Sequence, residues 1–252
     1  MIKHIPNLVT LLNLCSGCIA AIVVIQGQLV WGAFFVFIGI VLDFLDGFLA
    51  RMLRVQSDLG LQLDSLADVV TSGVVPGLVM YKLLCLALNV SDELIDPGHW
   101  AHQSTEAFSL RNLLPLLGLI IAMASAYRLG KFNLDAEQQD YFKGLPTPAN
   151  TLLIMSLPLI LEYQGSGIIN AQILNPYVLI VLCLVSAYLL NAPIKLFSLK
   201  FKTYGFSENT TRYIFLALSV VLLAVLQFAA IPLIIVMYII MSLLTYKAKT
   251  TS

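Results

Sequence analysis

The sequence predicts an all-α integral membrane protein, a polytopic bundle of about eight transmembrane helices forming one membrane domain over residues 1–252. Three observations predict it. Of the 252 residues, 59% are hydrophobic and 11% are charged, with a mean hydropathy of +0.90, whereas a soluble domain carries about 25% charged residues. The apolar residues fall into successive runs, of which the first, Asn7–Ile25, is long enough to cross about 30 Å of hydrocarbon as a helix. The basic residues divide unevenly between the connections: with the N-terminus inside, all of the 14 Lys and Arg except Lys82 and Arg111 fall on one side. Positive residues stay cytoplasmic, so both termini are expected there. A net charge of zero and scattered basic residues leave no groove for nucleic acid, and that class of partner is excluded.

The first helix is expected over Asn7–Ile25, with Pro6 in its first turn, where a missing N–H costs nothing. Asn7, Thr10 and Asn13 share one stripe of it, either to bond neighbouring helices or to face a polar cavity. Gly27-Gln28 breaks the run. The second helix starts at Leu29, carries Asp43 and Asp46 near its far end and closes on Arg51 and Arg54. After a connection around Gln56–Gly60, a third helix runs from about Leu61 to Leu88 and carries Asp64 and Asp68 near its start. Asn89–Ser109 reads as a solvated loop; its His99 and His102 could ligate a metal only if helical, and Pro97-Gly98 argues for a turn. A fourth helix spans about Leu113–Leu129, and a polar connection extends from Tyr127 to Asn150. Apolar runs at Thr151–Tyr163, Tyr177–Leu190, Tyr213–Gln227 and Ile231–Tyr246 complete the bundle. Cys15, Cys18, Cys85 and Cys183 lie in apolar runs without a second pair at ligand spacing, and read as core thiols.

The chemistry concentrates in Asp43–Asp68. A charged side chain at a bilayer centre costs about 3 kcal/mol unless it is paired, hydrated or metal-bound, and here there are four. Asp43 and Asp46 are three apart, Asp64 and Asp68 four apart, so each pair projects from one helix face. If the faces meet, four carboxylates converge, and divalent cations relieve their repulsion. All-oxygen ligands favour Mg²⁺ or Mn²⁺, and two such ions form a clamp for phosphoryl oxygens. Gly47, Ala50 and Gly60 leave room for a ligand or for close helix packing, and Arg51 offers a fork that matches phosphate. A cation- or proton-coupled transporter, with acids that bind its ion, is the reading from another class.

The run reads D, two residues, D-G, two residues, A-R, eight residues, G, three residues, D, three residues, D. It resembles the signature of the CDP-alcohol phosphotransferase family at each of its fixed positions. PNLVTLLNL (Pro6–Leu14), YRLGKFN (Tyr127–Asn133) and FKGLPTPAN (Phe142–Asn150) are similar to segments of the phosphatidylserine synthases within that family, with Gly130 and Lys131 where alanine and arginine are usual. The resemblance implies a six-helix core within residues 1–190, two additional C-terminal helices in 191–252, a homodimer in the cell (inner) membrane, and an active site at the cytoplasmic face. It implies transfer of a phosphatidyl group from CDP-diacylglycerol to L-serine with release of CMP, assisted by two Mg²⁺ or Mn²⁺ ions on Asp43, Asp46, Asp64 and Asp68. Asp68 would be the catalytic base. Asn7, Thr10, Asp43, Gly47, Ala50, Arg51 and Gly60 would bind the donor, and Arg128, Lys131 and Asn133 the serine carboxylate. Another acceptor, glycerol 3-phosphate or an inositol phosphate, is the alternative within the family.

Overall fold

The computed structural model describes residues 4–90, 110–134, 141–197 and 205–250. Helix α1 (Ile5–Ile25) and helix α2 (Leu29–Met52) form an antiparallel hairpin around Gly27, whose φ of +82° suits the tight reversal. The chain leaves α2 through Arg54 at φ 55° and enters α3 (Asp58–Val69), which Ser57 caps by accepting from the Gly60 N–H at 3.1 Å. This cap places the start at Asp58 rather than near Leu61.

The third predicted helix is not continuous. A wide π turn at Val70–Val74 separates α3 from α4 (Val75–Leu88). Its cause is local: Pro76 has no N–H to give to the Ser72 carbonyl four residues back. In a membrane such a carbonyl needs another donor. Thr151 Oγ1 reaches it at 3.1 Å, while also donating toward Thr147 O at 2.8 Å, and Ser125 Oγ lies 3.4 Å away. Thr151→Val is therefore expected to lower stability by about 1–2 kcal/mol. Thermal unfolding in detergent reads this, and an unchanged midpoint would count against the Ser72 contact.

A short helix α5 (Leu110–Leu113) and a 3₁₀ segment, Leu114–Leu119, lead into α6 (Ile120–Leu134). The 3₁₀ segment crosses α4 at a pair of glycines so close that a Cβ on Gly118 would sit 2.6 Å from Gly77 O. Tyr127–Leu134, expected to belong to a polar connection, is helical. The reason is tertiary: Arg128 and Leu129 are buried, and Asn133 Nδ2 donates to Ser65 Oγ of α3 at 2.8 Å.

Helix α7 (Thr147–Tyr163) follows, then α8 (Gly167–Ile173) and α9 (Pro176–Asn191), which meet at 53°. The strands β1 (Tyr141–Lys143) and β2 (Lys195–Phe197) pair antiparallel, with Lys143 opposite Lys195. This two-stranded ribbon is the one departure among the described residues from an otherwise helical chain. Helix α10 (Phe206–Leu226) and helix α11 (Ala230–Thr250) fold back on each other at Gln227, φ 48°. Phe215 and Tyr238 have ring centroids 5.6 Å apart, whereas a straight helix would hold them about 35 Å apart.

By length and apolarity five stretches qualify as membrane spans, 5–25, 29–52, 58–88, 110–134 and 209–245, and the bent α8–α9 pair makes a sixth. The expectation of about eight counted α7, which at 17 residues is short, and counted the two arms of the last stretch separately, as the reversal at Gln227 requires. The main core lies between α1, α2, α4, α6, α7 and α9, around Val36, Met80, Leu83, Leu84, Ile121 and Ile154. A second core of Leu145, Leu196, Phe197, Phe215, Ile235 and Tyr238 joins the ribbon to the C-terminal hairpin.

One smaller expectation changes. Cys85 and Cys183 are buried, but Cys15 and Cys18 are exposed on the outer side of α1. Lys82, one of the two cations set apart from the rest by sequence, is buried in α4 beside Gly27 and Asn89, at the end of the bundle away from the acids. His99 and His102 lie outside the described residues.

Candidate active site

The hairpin of α2 and α3 brings the acids together. One oxygen each from Asp43 on α2 and from Asp64 and Asp68 on α3 lie within 4.8 Å of one another. The four-residue step from Asp64 to Asp68 keeps both on the face turned to α2. Asp46, one turn beyond Asp43, stands outside that tight set. It is buried, and its Oδ2 accepts from Thr10 Oγ1 at 2.5 Å, with Arg51 among its charged neighbours.

The stripe on α1 divides its work. Asn7 and Thr10 face a cavity, whereas Asn13, wholly buried, accepts from Thr71 Oγ1 at 2.9 Å and so bonds a neighbouring helix. Asn13 Nδ2, the donor end of the same amide, borders Asp68. The helices approach closely there because Gly39 and Gly17 face Thr71: a Cβ on Gly39 would meet Thr71 Cγ2 at 2.6 Å and Asn13 Oδ1 at 2.8 Å.

Carboxylates this close repel one another strongly unless a cation or a proton intervenes. Three convergent oxygens, hard and anionic, with a fourth carboxylate one turn away, fit a divalent ion of the Mg²⁺ or Mn²⁺ kind.

Beside the cluster opens a cavity of about 440 Å³. Asp46 and Asp64 are part of its wall, as are Asn7, Thr10, Gly47, Ala50, Arg51 and Gly60. The donor-binding residues expected from sequence therefore share one space, apart from Asp43, which stays with the cluster. The small residues have a visible use. A Cβ at Gly60 would stand 3.1 Å from Asn7 Oδ1, and one at Gly47 would stand 3.4 Å from the Arg51 guanidinium, which folds over it. Next to the same mouth, Ile5, Leu8, Leu11 and Leu63 line an apolar groove of about 490 Å³ that meets the cavity at Asn7.

The three residues expected to meet serine separate. Arg128 is buried, within electrostatic range of Asp68, and its Nε has no hydrogen-bond partner. Lys131 is exposed, and with Arg128 it lines a small cleft of about 80 Å³. Asn133 is not part of that cleft; its amide is held by Ser65. Sequence reasoning missed two other lining residues, Lys143 and Asn191. Asn191 donates to Ala124 O at 3.0 Å, and its buried Oδ1 has no partner. Lys143 lies in the FKGLPTPAN segment singled out above; it is held in β1 opposite Lys195 of β2 and lines the same cleft as Arg128.

The chain has informative relatives. It is 29% identical over 175 residues to the CDP-diacylglycerol–serine O-phosphatidyltransferase of Bacillus subtilis, covering 66% of this chain and 84% of that one. It is 28% identical over 173 residues to the Mycobacterium tuberculosis protein of the same name, where it spans 52% of the relative's length. Over 154 residues it is 27% identical to the archaetidylserine synthase of Methanothermobacter thermautotrophicus, spanning 56% of that protein. A family model described as CDP-alcohol phosphatidyltransferase matches residues 3–189, which include the α2–α3 acids, the cavity beside them and the three cations of the basic cleft. A multi-pass membrane enzyme whose acids, cavity and cleft all fall within or at the edge of that match, this chain belongs to the CDP-alcohol phosphatidyltransferase family.

Proposed function

We propose that the protein transfers the phosphatidyl group of CDP-diacylglycerol to the hydroxyl of L-serine, giving phosphatidylserine and CMP. The observation that carries this reading is the junction of two unlike spaces: Asp64 belongs both to the carboxylate cluster and to the wall of the cavity lined by Asn7, Gly47, Ala50, Arg51 and Gly60. A nucleotide in that cavity would present its pyrophosphate to the acids. Asp43, Asp46, Asp64 and Asp68 would hold two Mg²⁺ or Mn²⁺ ions, whose chemistry is to neutralise the phosphoryl oxygens as charge develops.

The rest belongs to the chain. Thr10 fixes the rotamer of Asp46. Gly47, Ala50 and Gly60 let the nucleotide approach the helix backbones, and the Arg51 fork receives a phosphate oxygen pair. The acyl tails extend along the groove of Ile5, Leu8 and Leu11 into lipid. Asp68 lies between the cluster and Arg128. It takes the proton from the serine hydroxyl as the hydroxyl oxygen attacks the phosphorus bearing diacylglycerol, and the bond to CMP breaks. General-base help of this kind contributes about 10²–10⁴-fold. Arg128, Lys131 and Lys143 receive the serine carboxylate, with Lys143 in the place expected for Asn133. The names of the relatives, all of them serine-linked, support this acceptor.

Arg51, Arg54, Arg128, Lys131 and Lys143 stand at the end of the bundle that holds the acids, which by the distribution of positive charge is the cytoplasmic end of a cell-membrane protein. The catalytic core comprises residues 1–190, and α10–α11 are added to it.

Purified protein given CDP-diacylglycerol, Mg²⁺ or Mn²⁺ and serine is expected to release CMP, and to release none when the metal is chelated. Turnover with glycerol 3-phosphate or an inositol phosphate but not with serine would keep the transfer and overturn the acceptor.

A further inference from the structure

The C-terminal hairpin lies beyond the stretch that matches the family, yet its buried Tyr238 is tied to the basic cleft. The Tyr238 hydroxyl donates to Phe197 O of β2 at 2.8 Å, and Ser242 Oγ, which donates to Tyr238 O at 2.7 Å, accepts from Phe197 N at 3.4 Å. Three rings close around this bond: Tyr238 and Phe197 have centroids 5.0 Å apart, and Phe197 and Phe215 5.8 Å. Strand β2 in turn holds β1, where Lys143 sits opposite Lys195. The next residue, Gly144, donates to Ile194 O at 2.9 Å; its φ is +76°, and a Cβ there would collide with Leu190 O, so no side chain fits. Leu145 N donates to Leu189 O at 2.8 Å. A continuous series of hydrogen bonds thus runs from α11 through β2 to β1, whose Lys143 lines one cleft with Arg128 and Lys131. Tyr238 also lies within electrostatic range of Arg128.

We propose that Tyr238 is a positioning residue for the acceptor: acting through Phe197 and the β1–β2 ribbon, it sets the spacing of Lys143 from Arg128, and with it the fit of the cleft to a small carboxylate-bearing alcohol. This rests on the reading that the cleft of Arg128, Lys131 and Lys143 receives that carboxylate. The hairpin thereby acquires a role in the reaction. The Tyr238 hydroxyl has no part in the chemical step; it holds the strand that carries the cation.

The test uses the full chain in detergent, with CMP release measured against serine and, separately, against CDP-diacylglycerol. Tyr238→Phe keeps the ring packing and removes only the hydroxyl. It is expected to raise the serine KM about fivefold, the factor that one lost neutral hydrogen bond gives, while the donor KM and kcat stay within about twofold. A role confined to folding would reduce the active fraction and leave both KM values in place, and that result overturns the proposal, as does an equal rise in both. Lys143→Gln separates the two readings. If it raises the serine KM and Tyr238→Phe does not, the cleft stands and the role of Tyr238 falls. If Lys143→Gln leaves the serine KM unchanged, the cleft does not bind the carboxylate and both fall.

Discussion

Asp68→Asn is expected to lower CMP release by about 10³-fold or more while leaving CDP-diacylglycerol bound. The side chain is buried among groups that define its role, with Asp43 and Asp64 on one side, Arg128 on another, and the Asn13 amide beside it. Asparagine keeps the volume, so packing against α1 and α6 survives, and it supplies one neutral oxygen in place of a carboxylate. What it cannot do is accept the hydroxyl proton. Rate measurement by CMP release, paired with donor binding to the same preparation, separates the two functions. Unchanged turnover would remove Asp68 from the mechanism, and loss of donor binding together with turnover would make it a metal ligand alone.

Asp64→Asn should fail differently. Its carboxylate is common to the acidic cluster and the cavity lined by Asn7, Arg51 and Gly60, so its loss should weaken divalent-ion binding by about 10²-fold, since affinity at such sites follows the number of charged ligands. Raising Mn²⁺ is expected to restore much of the rate of this variant and none of the rate of Asp68→Asn. Mn²⁺ titration, followed by calorimetry in parallel with turnover, checks both. Rescue of Asp68→Asn by excess metal, or a normal Mn²⁺ affinity in Asp64→Asn, would show that the roles have been assigned the wrong way round.

The acidic site was legible in the sequence because its logic is local. The spacings three and four along two helices put each pair on a face, and glycine at 60 marks where a Cβ would press on Asn7 and Ser57. The membrane class was legible from composition alone. What escaped depends on partners distant along the chain. Polar residues in Tyr127–Asn133 look like a loop by periodicity, yet Ser65 and the burial of Arg128 keep that stretch helical. Lys143 joins Arg128 only through a ribbon whose second strand lies about fifty residues on, a pairing that no hydrophobic period announces. Pro76 was visible as an interruption, but that Thr151 and Ser125 would answer the carbonyl it frees was not. Spacing places Asp46 with the other acids, but that its carboxylate also accepts from the Thr10 hydroxyl of α1 could not be read from spacing.

The wide turn at Val70–Val74 sets the phase of everything ahead of it. Each residue of an α-helix advances the facing direction by about 100°, and a π turn absorbs one residue more than an α turn. Deleting one residue between Val70 and Val74 would turn the π turn into a regular α turn and leave the facing direction of Asp64 and Asp68 nearly unchanged, because the extra residue is the one the wide turn absorbs. The turn thus tolerates the loss of one residue, but a second deletion, with no wide turn left to absorb it, would rotate the two acids by about 100° and dismantle the site with every acid still present.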